Sequence, residues 1–177
     1  MKADVDGAAR IARIASGFDW EWSDRDIPRF CQAAGWRVLH DDRRFGATLG
    51  TNLAVPLAMC NVAYDTRLMG TRGSVGEKIA EMRVYVAGSE GAAATEPLPV
   101  AVAREFRTRL VEELGPWSEH VGREQDQCFY WRRSGVVVGL ALNKSFVLLK
   151  VLNPRYERWV KATAAQGAPR RGGAGKI

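Results

Sequence analysis

Long hydrophobic runs are missing from this chain: no apolar stretch approaches the roughly 20 residues that a membrane-spanning helix needs. The opening segment mixes Asp4, Asp6, Arg10 and Arg13 into a weak helical pattern and carries no secretory apolar core. Together these absences lead us to expect a cytoplasmic protein. Cysteine is sparse too. Cys31, Cys60 and Cys128 are odd in number, widely spaced and set among apolar residues, which favours reduced core thiols over a disulfide framework.

Histidine is scarcer still, with only His40 and His120. His40-Asp41-Asp42 is the one place where a histidine adjoins a pair of carboxylates, as a metal site or acid–base pair requires, while His120, 80 residues away, stands beside the single Glu119. Neighbouring residues of an extended strand point to opposite faces, so His40 and Asp41 are poorly placed to share a ligand, and a strand-end turn is the plainer reading. Gly70, Gly73 and Gly76 lead into Glu77-Lys78 without the glycine, lysine and hydroxyl spacing of a phosphate-binding loop, so they read as a connection between strands. No base accompanies any cysteine as nucleophilic catalysis would need. We therefore expect no metal, no cofactor and no catalytic residue.

The net charge of +6 points towards nucleic acid until it is located along the chain. From Arg155 onward there are six basic residues and one acid, a charge of +5, which leaves +1 for residues 1 to 154. Elsewhere cations alternate with acids, as in Asp24-Arg25-Asp26, and this suits a solvated surface better than a phosphate-tracking stripe. Residues 165 to 177, with Pro169-Arg170-Arg171, read as a disordered basic tail capable of weak, salt-sensitive contacts with nucleic acid. Residues 1 to 164 read as a single domain.

The clearest pattern that is present runs from Gln127 to Leu152. Three apolar stretches are separated by Ser134-Gly135 and Asn143-Lys144, pairs suited to two-residue hairpin loops. These loops predict Trp131 opposite Val138, Phe129 opposite Leu140, Leu140 opposite Val147 and Val138 opposite Leu149, all on one apolar face. The other face collects Cys128, Tyr130, Arg132, Val137, Gly139, Ala141, Phe146, Leu148 and Lys150. Gly139 would weaken its strand unless Tyr130 and Leu148 fold over the bare backbone. Burying the apolar face contributes only about half of what ordering these residues costs, so amphipathic helices must cover it.

Helical spacing of Ala8, Ile11, Ile14 and Ala15 predicts a first helix. Ser23 with Asp26 resembles a capping box for a second, in which Ile27, Phe30, Cys31 and Ala34 share one stripe and Gly35 is the stop. Trp36 to Leu39, Phe45 to Thr51, Leu57 to Asp65 and Ile79 to Ala87 read as β-like runs, three of them paired. Val102, Phe106, Leu110 and Leu114 form the stripe of a central helix, with Glu105 and Arg109 spaced to pair, and Asn153-Pro154 opens a last one. The expected fold is α+β, a twisted antiparallel sheet of about six strands with helices mainly on one face, in the order α-α-β-β-β-α-β-β-β-α.

Trp20, Trp22, Trp36, Trp117 and Trp159 lie near element ends, where such rings plug the corners of a core or, less readily, form a stacking surface. The run Phe18-Asp19-Trp20-Glu21-Trp22-Ser23, followed by Asp26, Pro28, Phe30, Gly35 and Trp36, resembles the opening of an uncharacterised actinobacterial family known as a domain of unknown function. The element order is similar to that of type III secretion chaperone-like domains, and this resemblance implies protein binding, as a chaperone or an immunity protein. We accordingly expect a non-enzymatic protein-binding domain whose partner is another protein, docking around Tyr130, Arg132 and Lys150 or on a strand edge. The alternative is a small enzyme with a pocket assembled from His40, Asp41, Glu119 and His120.

Overall fold

The computed structural model describes residues 1–42, 46–64, 78–89, 97–123 and 126–167. Nine strands and four helices follow one another along these residues. They are β1 (Lys2–Ala3), α1 (Val5–Gly17), α2 (Asp26–Ala34), β2 (Arg37–Asp42), β3 (Gly46–Gly50), β4 (Met59–Tyr64), β5 (Ile79–Gly88), α3 (Val100–Leu114), β6 (Glu119–Arg123), β7 (Asp126–Arg132), β8 (Val137–Leu142), β9 (Val147–Leu152) and α4 (Pro154–Gly167). The fold is α+β, as the sequence predicts, with a richer sheet than expected. All four early runs pair, and β1 and β6 are additional.

The sheet order is β2-β3-β4-β5-β9-β8-β7-β6, antiparallel throughout, with β1 alongside the end of β5. It is thus two four-stranded meanders, β2–β5 and β6–β9, joined where their last strands meet. Among the described residues no helix is long and apolar enough to cross a membrane. The helix α4 runs through Gly167, past the start of the expected tail, and residues 168–177 lie outside the described residues.

Alternation sets the two faces. The inner face carries Trp131, Val138, Val151, Met82 and Val62 in one transverse row, and Phe129, Leu140, Leu149, Val84 and Cys60 in the next. All ten are buried, and α1, α2 and α3 lie over this face. Phe106, Leu110 and Leu114 of α3 join the same core. Trp131 is 0% exposed, and its indole N–H donates to the Gly115 carbonyl at 2.8 Å just beyond α3.

The first hairpin of the second meander closes over Ser134-Gly135 with the predicted register. The second differs. Asn143 N–H donates to the Phe146 carbonyl, so the loop is Lys144-Ser145, and Leu142 faces Val147, Leu140 faces Leu149 and Val138 faces Val151. This is a slip of two residues, which leaves every side chain on its expected face; a slip of one would have exchanged the faces. Gly139 consequently pairs with Lys150 in place of Leu148, while Tyr130 does cover it, with a ring carbon 3.2 Å from where a Cβ would sit.

One capping expectation changes and another holds. Asp26 does not cap through a box with Ser23; its carboxylate reaches back to accept the Glu21 and Trp22 N–H groups at 2.9 and 2.7 Å, and binds Arg29. Gly35, at φ 69°, does stop α2 in the left-handed conformation that glycine adopts at least cost. Arg109 pairs with Asp6, Glu112 and Glu113 rather than Glu105.

Candidate functional site

The outer face of the sheet is crossed by one unbroken row of paired residues: His40, Thr48, Asn61, Arg83, Lys150, Gly139, Tyr130 and Glu119, one from each of β2, β3, β4, β5, β9, β8, β7 and β6. Its two ends have different surroundings. Over the second meander, α4 turns back across the outer face. Arg132 donates to Glu119 at 2.7 Å and to Glu157 of α4 at 2.6 Å, and Lys161 of α4 binds the same two carboxylates, Glu157 at 2.9 Å. Over the first meander His40, Asn61 and Arg83 remain exposed.

This four-membered network sets the local protonation. The hydrogen bond from Lys161, aided by Arg132, holds Glu119 below the usual carboxylate range against the opposing effect of burial. Burial disfavours the Lys161 ammonium, yet its bonds to Glu119 and Glu157 raise its pKa on balance. Burial, the Cys128 thiol beside it and the negative charge of Glu119 and Glu157 push the Tyr130 phenol far up, so it stays neutral.

The three residues expected to bind a partner therefore share the outer face, in different settings. Tyr130 lies over Gly139 and Arg132 is tied into the ion network beside α4. Lys150 sits at the junction of the two meanders, half-buried, and makes no ion pair among the described residues. Its pairing neighbour is Arg83, a like charge directly across the strands, which is unfavourable without an anion. Arg83 has one, in Glu81.

His40 and His120 are not brought together. They stand on β2 and β6, the two edges, and seven strand spacings of about 4.8 Å put them roughly 34 Å apart along the sheet. His120 stacks flat on Phe129 with ring centroids 4.5 Å apart, Asp41 accepts from the Tyr64 hydroxyl, and Glu119 belongs to the ion network. The glycines at 70, 73 and 76 lie outside the described residues. Among those described, no group of three or more potential metal ligands occurs. Cys31 and Cys60 are buried and free, and burial pushes both thiols up, away from reactivity.

A second feature escaped the sequence reading. A cavity of about 470 Å³ opens where α4 begins, lined by Trp20, Trp22, Lys78, the Ser134-Gly135 turn and Arg155 with Arg158. Its wall is built with care. Trp20 stacks on Trp22 at 4.5 Å, Trp20 also packs on Phe30, and the Trp22 indole N–H donates to the Gly135 carbonyl at 2.9 Å. Trp22 has φ 59°, among the described residues the sole positive value outside glycine, a strained conformation held by the Asp26 carboxylate and by Ile79 N–H on its carbonyl. Asn153 anchors the other side: it bonds Ile79 and caps α4 by accepting from Arg155 N–H. The available signal was Arg155 and Arg158, three apart after Asn153-Pro154, whose charge had been counted with the tail although both sit in α4.

These features define a class: a two-layer α+β protein whose antiparallel sheet is built from paired meanders, with helices on the inner face and one helix crossing part of the outer. The chain belongs to a family of unknown function, DUF6301, whose model matches residues 6–153. The match takes in β2 to β9 and α2 and α3, and ends at the residue before α4. No curated protein and no solved structure matches it.

Proposed function

We propose that this chain is a protein-binding domain, acting in the cytoplasm in a chaperone-like or immunity-like role, and that its partner docks on the outer face where the two meanders join, through an acidic segment. The observation that carries this reading is the opposed pair Arg83 and Lys150. Two cations face each other across neighbouring strands; Glu81 holds Arg83, while Lys150, half-buried, has no carboxylate among the described residues. A carboxylate from outside would pair with this cation, already partly desolvated, the setting in which a charged hydrogen bond contributes most. Asn61 beside Arg83 and Thr48 beyond it continue the row as hydrogen-bonding groups. The edge strand β2 is a poorer docking site. Leu39 forms a bulge between the paired Val38 and His40, a device that discourages strand addition.

Affinity capture from the native host, run in parallel on wild type and on Lys150→Glu, tests the proposal. One specific acidic protein held by the wild type and lost from the variant, with unchanged thermal unfolding of the bait, is the expected outcome. Equal capture by both proteins, or no stable partner for either, overturns it.

A further inference from the structure

We propose that the cavity between the Trp20-Glu21-Trp22 segment and the start of α4 is a binding site for the phosphate group of a small phosphorylated molecule. This site is separate from the Lys150 face and does not depend on it.

The argument starts from charge. Lys78, Arg155 and Arg158 all line the cavity, and among the described residues none of them makes an ion pair. One carboxylate, Glu21, shares the lining, so the cavity carries a net charge of about +2, which suits a phosphate monoester of about −1.5 to −2 at neutral pH better than a single carboxylate. Other cations, Arg37 and Lys144 among them, also lack an ion pair among the described residues; these three are distinguished by sharing one concavity with a single carboxylate.

Position strengthens the case. Arg155 and Arg158 stand three residues apart, hence on neighbouring turns of one helix side, and both fall in the opening turns of the 14-residue α4. Asn153 and, in the same first turn, Glu157 already serve the helix start, so the two guanidinium forks and the ammonium are what a phosphate would meet. Beside them, Ser23 pairs with Lys78 as an isolated bridge, so the two side chains leave the backbone on the same side; its hydroxyl is buried and has no hydrogen-bond partner among the described residues.

The rest of the wall suits an organic body. Trp20 and Trp22 supply apolar surface, and about 470 Å³ lies within the range of small-molecule pockets. A concavity of this size, half open to solvent, accommodates a metabolite-sized body. The strained backbone at Trp22 and the buried Asp26 that holds it mean the tryptophan wall is set before any ligand arrives.

Titration calorimetry of the full chain with inorganic phosphate, a sugar phosphate and a nucleoside 5′-monophosphate, combined with indole N–H spectra assigned through Trp20→Phe and Trp22→Phe, tests the site. Saturable binding of at least one probe is expected, moving the Trp20 and Trp22 signals ahead of the other indoles. The double variant Arg155→Gln with Arg158→Gln should weaken it by at least about tenfold, in line with loss of charged hydrogen bonds. Affinity should also fall as pH drops through the second phosphate pKa near about 6. Lys150→Glu should leave it unchanged, so failure here and failure of the partner face can be told apart. No binding of any probe, or equal affinity in the double variant, overturns the assignment. A phosphoserine peptide binding more tightly than every small probe would overturn the small-molecule class in favour of a modified protein segment.

Discussion

The two halves of the sheet have the same plan, a helix followed by a four-stranded meander, and opposite exposures. In the second meander β8 is buried along its whole length and β9 at all but Lys150, because α1 and α3 lie over one face and α4 turns across part of the other. In the first, β2 is exposed at nearly every position, and Asn61 and Arg83 open outward from β4 and β5. One polar face has thus become an internal interface and the other has stayed a surface. A strand buried on both sides reads as a continuous apolar run, as Val136 to Leu142 does, whereas a strand buried on one side alternates.

The sharpest test of this contrast is Trp131→Ala, which removes the largest fully buried side chain of the second meander along with its bond to Gly115. Urea unfolding should register a loss of about 3–5 kcal/mol. The equivalent truncation at the first meander's edge, Leu39→Ala, 51% exposed, should cost no more than about 0.5 kcal/mol. Comparable losses at both positions would erase the distinction between the halves.

Next in size is Asp26→Ala. Its carboxylate is fully buried and satisfies two backbone N–H groups that its removal would strand, so about 2–3 kcal/mol should be lost. The indole signals of Trp20 and Trp22 should broaden together, since their turn loses its tether.

The interface beneath α4 sharpens the comparison through pH. Glu119 has a folded pKa below its unfolded value, so its contribution is fully present above the ordinary carboxylate pKa of about 4.3 and is lost as pH falls through that region and below. Glu119→Gln should flatten the acid limb of the stability profile and cost about 1 kcal/mol or less at neutral pH, because the group is partly solvated. An unaltered acid limb would remove Glu119 from the network that holds α4 down. A similarly small effect belongs to Gly139→Ala. A Cβ there meets the Tyr130 ring at 3.2 Å and Lys150 Cβ at 3.4 Å, and a shift of the ring by a few tenths of an ångström should limit the loss to about 1 kcal/mol.

Much of this contrast was legible in residue order. The second meander could be placed strand by strand because its loops are short, and the inner stripe of α3 was plain from Phe106, Leu110 and Leu114. Lys144-Ser145 was mistaken for Asn143-Lys144 because both pairs suit a tight turn; the choice depends on where Phe146 can pack, and it tilts against Tyr85 of the other meander. The strand β6 escaped because an edge strand needs no apolar alternation: His120 faces inward and Val121 is half exposed. The cavity escaped because its lining comes from four separated segments, which no local pattern joins.

What the chain determined alone was sidedness, since side chains alternate with a period of two and keep their faces even when a hairpin slips by a pair. What the tertiary structure decided was which polar face would be covered. That outcome depends on β5 meeting β9 and on Asn153 reaching the Ile79 carbonyl 74 residues away, which aim α4 across one meander and leave Lys150 beside Arg83 at the seam between the two. Contacts of such separation leave no periodic trace in a sequence, because each rests on the closure of a long loop rather than on the spacing of near neighbours.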